Sequence, residues 1–256
     1  MIITDTHTHL YSEQFDDDRN EMIQRAIDAG VSRFFIPAID STYLTPMLDL
    51  EKGFPNNIFL MMGLHPTHVK ENFEGELAFV KQWLDKRNFY AVGEIGIDLY
   101  WDKSTLDIQK KVFIKQVNWA LEFELPIVIH ARESYNEIFE ILDFLNTSKL
   151  KGVFHCFSST IEDADRILKY GGFKLGIGGV ITFKNSGIDK VVEQIEIENI
   201  ILETDAPYLT PAPFRGKRNK SSYIPLIANK LSDIYKVSPE EIGKITSKNA
   251  SEIFNI

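Results

Sequence analysis

Short apolar runs in this chain end repeatedly on a histidine or a carboxylate. Ile2-Ile3 leads to His7 and His9, Tyr90-Ala91-Val92-Gly93 to Glu94, Ile127-Val128-Ile129 to His130, Val153-Phe154 to His155, and Ile200-Ile201-Leu202 to Asp205. Strands of a parallel sheet are covered on both faces, so they read as continuous hydrophobic runs rather than alternating ones. In a barrel of such strands the chemistry sits where the strands end. The pattern predicts an α/β chain folded as a (β/α)8 TIM barrel, with metal-binding side chains gathered at its mouth.

Eight strand segments can be marked, over residues 2–9, 33–39, 58–65, 90–98, 126–132, 152–158, 173–180 and 200–208. Helical segments separate them. Residues 17–29 carry Met22, Ile23, Ala26 and Ile27 at helical spacing and stop on Gly30, a residue suited to a helix C-terminus. Residues 104–122 repeat the pattern, with Ser104 as the expected N-cap. The segment 161–170 ends on Gly171-Gly172, and two helices over 223–235 and 238–254 close the chain. Ser238-Pro239-Glu240-Glu241 is a strong helix start, with Ser238 as cap and Pro239 in the first turn. Polar ligands drawn from strands spread along the whole chain favour a closed barrel over an open sheet, which would concentrate them at one crevice.

Composition sets the remaining bounds. No Ser/Gly/Pro-rich linker interrupts the 256 residues, of which 44% are hydrophobic and 25% charged, so one domain over 1–256 is expected. The balance of 28 basic to 37 acidic residues, net −9, argues against a protein that coats nucleic acid with a broad basic surface. It leaves a local phosphate site open, because bound cations dominate the field where they sit. No apolar run is long enough to span a bilayer and the N-terminus lacks a signal pattern. With the single Cys156, these features lead to the expectation of a cytoplasmic protein with no membrane attachment. As a strand residue next to His155, Cys156 is expected to face the helix layer as a small buried hydrophobe.

His7 and His9 are two apart and share one face of a strand, with Asp5 below them on that face. They can share a cation. Glu94 lies in Gly93-Glu94-Ile95-Gly96-Ile97-Asp98, where no lysine or arginine from 90 to 98 is available to neutralise it. A buried carboxylate without a cation is costly, so Glu94 is expected to bridge two metals. His130 and His155, from adjacent strands, suit the second ion, and Asp205 closes the ring beside the first strand. Four of the six histidines belong to this set. Glu203, deeper on the same face as Asp205, is expected behind the ligands. Mixed imidazole and carboxylate donors select Mg²⁺, Mn²⁺ or Zn²⁺ rather than copper or iron–sulfur. Two such ions promote hydrolysis, with Asp205 orienting the water or taking its proton and Glu94 bridging. Around this set, His65, Arg132, Arg215 and Arg218 are candidate substrate contacts, and Tyr100 and Trp101 are placed to stack on a base.

Taken together and in order, the motifs Asp5-Thr6-His7-Thr8-His9, Gly63-Leu64-His65-Pro66, Gly93-Glu94-Ile95-Gly96-Ile97-Asp98, His130-Ala131-Arg132, Phe154-His155-Cys156-Phe157-Ser158, Glu203-Thr204-Asp205-Ala206-Pro207-Tyr208-Leu209 and Arg215-Gly216-Lys217-Arg218-Asn219 resemble the signatures of the TatD family of metal-dependent deoxyribonucleases, within the amidohydrolase-type barrels. The resemblance implies one metal on His7, His9, Glu94 and Asp205, and another on Glu94, His130 and His155. It implies DNA, as ends or single strands, hydrolysed from the 3′ end, with no obligatory protein partner. The chain departs from the family at Ser159, where glycine is usual, and at Lys220-Ser221-Ser222, where proline is common. Neither place carries a ligand. The competing readings are a small-molecule amidohydrolase, esterase or lactonase on the same barrel, and a non-enzymatic scaffold.

Overall fold

The structure is a computed structural model that describes residues 3–256. Ile2, placed in the first strand by the sequence pattern, lies outside the described residues. Strands and helices alternate in chain order: β1 (Ile3–Asp5), α1 (Arg19–Asp28), β2 (Val31–Ile36), α2 (Leu44–Gly53), β3 (Ile58–Leu60), α3 (Phe73–Lys86), β4 (Val92–Asp98), α4 (Leu106–Glu122), β5 (Ile127–Arg132), α5 (Tyr135–Leu145), β6 (Gly152–Phe154), α6 (Ile161–Lys169), β7 (Phe173–Ile177), α7 (Ile188–Val192), β8 (Ile200–Leu202), α8 (Ile224–Tyr235) and α9 (Pro239–Phe254). All strand pairings are parallel, in a run β1-β2-β3 and a run β4-β5-β6-β7-β8. Single parallel bridges, Met62 to Val92 and Thr8 to Ala206, join the two runs and close the (β/α)8 barrel.

Alternation along each strand sorts the side chains into two layers. Phe34 and Ile36, Leu60 and Met62, Ile127 and Ile129, and Ile200 and Leu202 pack outward into the large core shared with the helices. Phe35, Met61, Val128, Val153 and Ile201 form a second cluster with Ala250, Ile253 and Phe254 of α9. These residues fill the barrel from below, and Phe254 stacks on Phe35 with ring centroids 4.0 Å apart. The C-terminal helix is thus the plug of the barrel. Its start follows the sequence signal, since the Ser238 side chain accepts a hydrogen bond from the Glu241 N–H at 3.2 Å.

Several expectations need correction at the strand ends. β1, β6 and β8 are shorter than their apolar runs suggested. β6 stops because Cys156 turns into a left-handed conformation (φ 51°), and the chain after β8 does the same at Asp205 (φ 55°), a conformation that aspartate tolerates better than most residues. Cys156 is therefore not a strand residue facing the helices. It is half-buried, its N–H donates to Glu203 Oε1 at 2.6 Å, and burial pushes its thiol up. Ser104 does not cap α4, which begins at Leu106 with Thr105 in the cap position. Asp102 captures Ser104 instead, accepting from its N–H at 2.9 Å and its hydroxyl at 2.6 Å, the local turn that aspartate side chains favour.

Candidate metal centre

Two residues further along the inward face, the apolar layer of the barrel becomes polar: Val128 is followed by His130, Val153 by His155 and Ile201 by Glu203. His7 and His9 reach the same level from a short segment stapled on both sides. The Thr8 N–H donates to Phe35 O at 3.1 Å, the His9 N–H to Ala206 O at 2.8 Å, and the Asp205 N–H to His7 O at 2.9 Å. These bonds fix His7, His9 and Asp205 relative to one another.

Glu94 is delivered by an irregularity in β4. The pairing runs Val92 to Ile127 and then Ile95 to Ile129, so β4 carries one extra residue at Gly93-Glu94, a bulge that re-aims a side chain. Beyond it, Gly96 has φ 145°, and a Cβ there would lie 2.0 Å from His130 O. Only glycine lets β4 come this close to β5, which brings Glu94 against His130. Gly176 plays the matching part on β7, since a Cβ there would lie 2.1 Å from Glu203 Oε2.

The result is a buried carboxylate ringed by imidazoles. Glu94 Oε2 lies 3.0 Å from His7 Nε2 and 3.8 Å from His9 Nε2. Glu94 Oε1 lies 2.9 Å from His130 Nδ1, 3.2 Å from His65 Nε2 and 3.3 Å from His155 Nε2. Asp205 Oδ1 stands on the Oε2 side, 3.5 Å from His9 Nε2 and 3.9 Å from His7 Nε2. Each oxygen of Glu94 thus serves its own group of histidines.

A second tier holds the ring. His130 Nε2 faces Asp98 Oδ2 at 2.8 Å, His155 Nδ1 faces Glu203 Oε1 at 3.2 Å, and His9 Nδ1 lies 2.7 Å from the Tyr11 hydroxyl, which donates to Pro37 O at 2.9 Å. Asp5 lies below His7 and accepts from the Thr204 N–H at 2.9 Å and the Thr204 hydroxyl at 2.6 Å. Partners of this kind set ring orientation and tautomer in metal sites.

Charge in this cluster is settled by burial against neighbours. Burial alone would raise Glu94, but the charges of His65, His155 and His7 and the hydrogen bond with His130 hold it well below the usual carboxylate range. Burial and the charge on His155 keep His7 low. His155, stacked on His7 at 3.7 Å, rises well above the imidazole range because Glu94 and Glu203 outweigh its burial. Burial takes His65 down to about 4. Asp205 is lowered, because His9, His155 and His7 overcome its burial.

The donor set fits divalent cations. Three groups, His7/His9/Glu94, His7/His155/Glu203 and His65/Glu94/His130, each have ligand atoms within 4.8 Å of one another. Both ring nitrogens of His7 and the Oε2 atom of Glu203 are buried without a well-directed hydrogen bond among the described residues. Atoms that face each other in reach but out of line are what a cation between them would satisfy.

The sequence-based candidates divide on the structure. His7, His9, Glu94, His130, His155 and Asp205 come together, and His65, expected as a substrate contact, stands in the donor cluster itself. Arg132 is exposed at the rim with its guanidinium 3.8 Å from the ring centre of Tyr100. Arg215 is exposed and lies 3.4 Å over Phe183. Arg218 turns away, donating to Gln14 O at 2.5 Å and pairing with Asp18 Oδ2 at 2.6 Å, so it pins its loop to the start of α1. Two partners escaped the sequence reading, Asp98 and Tyr11. Both had a signal: Asp98 is four residues beyond Glu94 on a strand, hence on the same face, and Tyr11 is two beyond His9.

No helix among the described residues is long and apolar enough to cross a membrane. The family profile described as TatD related DNase matches residues 4–255. An uncharacterized metal-dependent hydrolase of Bacillus subtilis, YabD, is 38% identical with all of both chains covered. The crystal structure of the Escherichia coli TatD homologue YjjV superposes with a TM-score of 0.93 at 28% identity, over 99% of this chain and 98% of that one. A TatD family hydrolase of Entamoeba histolytica shares the fold, with a TM-score of 0.83 at 24% identity over 98% of this chain and 97% of that one. The chain belongs to the TatD related DNase family and is a metal-dependent hydrolase.

Proposed function

We propose that the chain is a two-metal phosphodiesterase acting on DNA ends or single strands, in the manner of a 3′-to-5′ exonuclease. The observation that carries this reading is the division of five imidazoles between the two oxygens of one buried carboxylate, which makes Glu94 a bridge with a donor group on each side. His7, His9 and Asp205 would hold one ion and His130 and His155 the other, with Mg²⁺, Mn²⁺ and Zn²⁺ all compatible with the donors. When bound, such a pair supplies polarisation of a phosphoryl oxygen and a lowered pKa for an attacking water.

The chain's own residues supply the rest. Asp205 is the most open carboxylate of the cluster, its side chain 15% exposed against 2% for Glu94, 2% for Asp98 and 0% for Glu203. Its low pKa keeps it ionised near neutrality, so it can orient a water and accept its proton. Glu203 and Asp98 hold the rings of His155 and His130, and Tyr11 holds that of His9. At the rim, Trp101 is 70% and Tyr100 50% exposed, and exposed aromatic faces next to an arginine suit the stacking of unpaired bases.

The test is hydrolysis of 3′-labelled and 5′-labelled single-stranded DNA by chelated protein, with each metal returned separately. Mononucleotides released from the 3′ end are expected, with the rate reduced about 10²- to 10⁴-fold in Asp205→Asn, the usual contribution of a positioned proton acceptor. Full activity in that variant would remove Asp205 from the reaction. No release with any metal would turn the reading towards a small-molecule ester or amide.

A further inference from the structure

Beside the metal centre, the loops after β6, β7 and β8 enclose a cleft of about 650 Å³ lined by Ser158, Val180, Thr182, Phe183, Lys184, Asn185, Ile188, Ala212 and Arg215. It lies at the same end of the barrel as Glu94. One border is Ser158, three residues beyond His155, and another is Ala212, seven beyond Asp205. The size falls within the ~300–1,000 Å³ of small-molecule sites.

The lining has two parts. Val180, Phe183, Ile188 and Ala212 offer an apolar floor, and Lys184, Asn185 and Arg215 stand at its edge. In a chain of net charge −9, cations without partners are informative. Lys103, Lys110, Arg166 and Lys230 are each paired with a carboxylate, whereas among the described residues neither Lys184 nor Arg215 has one within ion-pair distance, although both are exposed. The Arg215 guanidinium lies flat on Phe183 at 3.4 Å, which orients its edge without using its N–H groups. The floor is held independently: the Thr182 hydroxyl donates to Gly179 O at 2.7 Å and accepts from the Ala212 N–H at 2.8 Å, tying the β7 loop to the β8 loop.

We infer that this cleft is a nucleotide subsite, taking the base of a nucleotide adjacent to the scissile phosphodiester on the Val180/Phe183/Ile188/Ala212 floor and its phosphate between Lys184 and Arg215. The inference rests on the nuclease reading and deepens it. It gives the β7 loop, which carries no metal ligand, the task of holding the polymer in register.

The experiment measures binding of fluorescein-labelled oligothymidylate to chelated protein by anisotropy across a salt series, followed by KM and kcat for its cleavage with Mn²⁺. The proteins are the natural chain, Lys184→Glu, Lys184→Arg and Arg215→Ala. Lys184 is exposed and unpaired, so its substitution leaves the fold intact, which the melting curve checks. Expected are an affinity loss of about tenfold and a salt slope smaller by about one for each lost phosphate contact, a matching rise in KM with kcat held, and retention by Lys184→Arg. Binding and KM unchanged in both Lys184→Glu and Arg215→Ala, with the natural chain binding and cleaving, would overturn the subsite and leave the nuclease standing. A natural chain that neither binds nor cleaves the oligonucleotide would overturn both.

Discussion

The two ends of the barrel interior are built from the same strands, two residues apart, and obey opposite rules. At the lower end Phe35, Met61, Val128, Val153 and Ile201 meet Ile253 and Phe254 and need only shape and volume to fit. At the upper end His130, His155 and Glu203, from three of those strands, bury charge and stand only because each has a partner of opposite sign. The lower end stabilises, and the upper end does chemistry at a cost in stability. A barrel separates the two tasks by one step of strand alternation.

Phe254→Ala is the sharpest way to break that separation. Phe254 is 3% exposed and stacks on Phe35, so truncation should remove about 3–5 kcal/mol of stability, read by denaturant unfolding. Metal content and kcat at a temperature where the variant is folded should remain those of the natural chain. A variant that keeps its stability but loses metal would show that the plug supports the centre rather than the fold.

Glu203→Gln probes the upper end from behind. Removing the charge that faces His155 Nδ1 at 3.2 Å should weaken metal affinity about 10- to 100-fold, measured by competition with a chelating dye. The overall fold should persist, since the substitution preserves volume.

The smallest effect lies outside the interior. Arg218 holds Asp18 below its ordinary 3.8 through their hydrogen bond, against slight burial. A carboxyl depressed in the folded state contributes stability above its unfolded pKa and loses it as pH falls through the folded value. The difference in Tm between the natural chain and Asp18→Asn should therefore be present at pH 6 and vanish as the pH drops below 3.8. It should be modest throughout, as exposed ion pairs are. A difference that grows on acidification would contradict the assignment.

How much of this was legible follows from the physics of each element. The barrel and its ligands were readable because buried parallel strands give unbroken apolar runs, and His130 or Glu94 at the end of one has no ordinary reason to be there. The strand ends were not, because β6 and β8 stop where Cys156 and Asp205 adopt left-handed backbone, and neither residue type announces that. Ser104 was misassigned because Asp102, two residues earlier, competes for its N–H. Arg218 reads the same as Arg215 in a basic run, and only the approach of α1, from 200 residues earlier in the chain, distinguishes the pinned cation from the free one. The Lys184 cleft is assembled from loops after three strands and leaves no local pattern at all.

The bridging role of Glu94 is tested most directly by counting metal. Chelated protein reloaded with Mn²⁺ or Zn²⁺ and titrated by calorimetry should take up two ions per chain, and Glu94→Gln, which keeps the volume and removes the charge shared by both sides, should lose both tight sites together with hydrolysis. Two ions bound with unchanged affinity in Glu94→Gln would contradict it, and would mean that the two groups of histidines act without a common carboxylate.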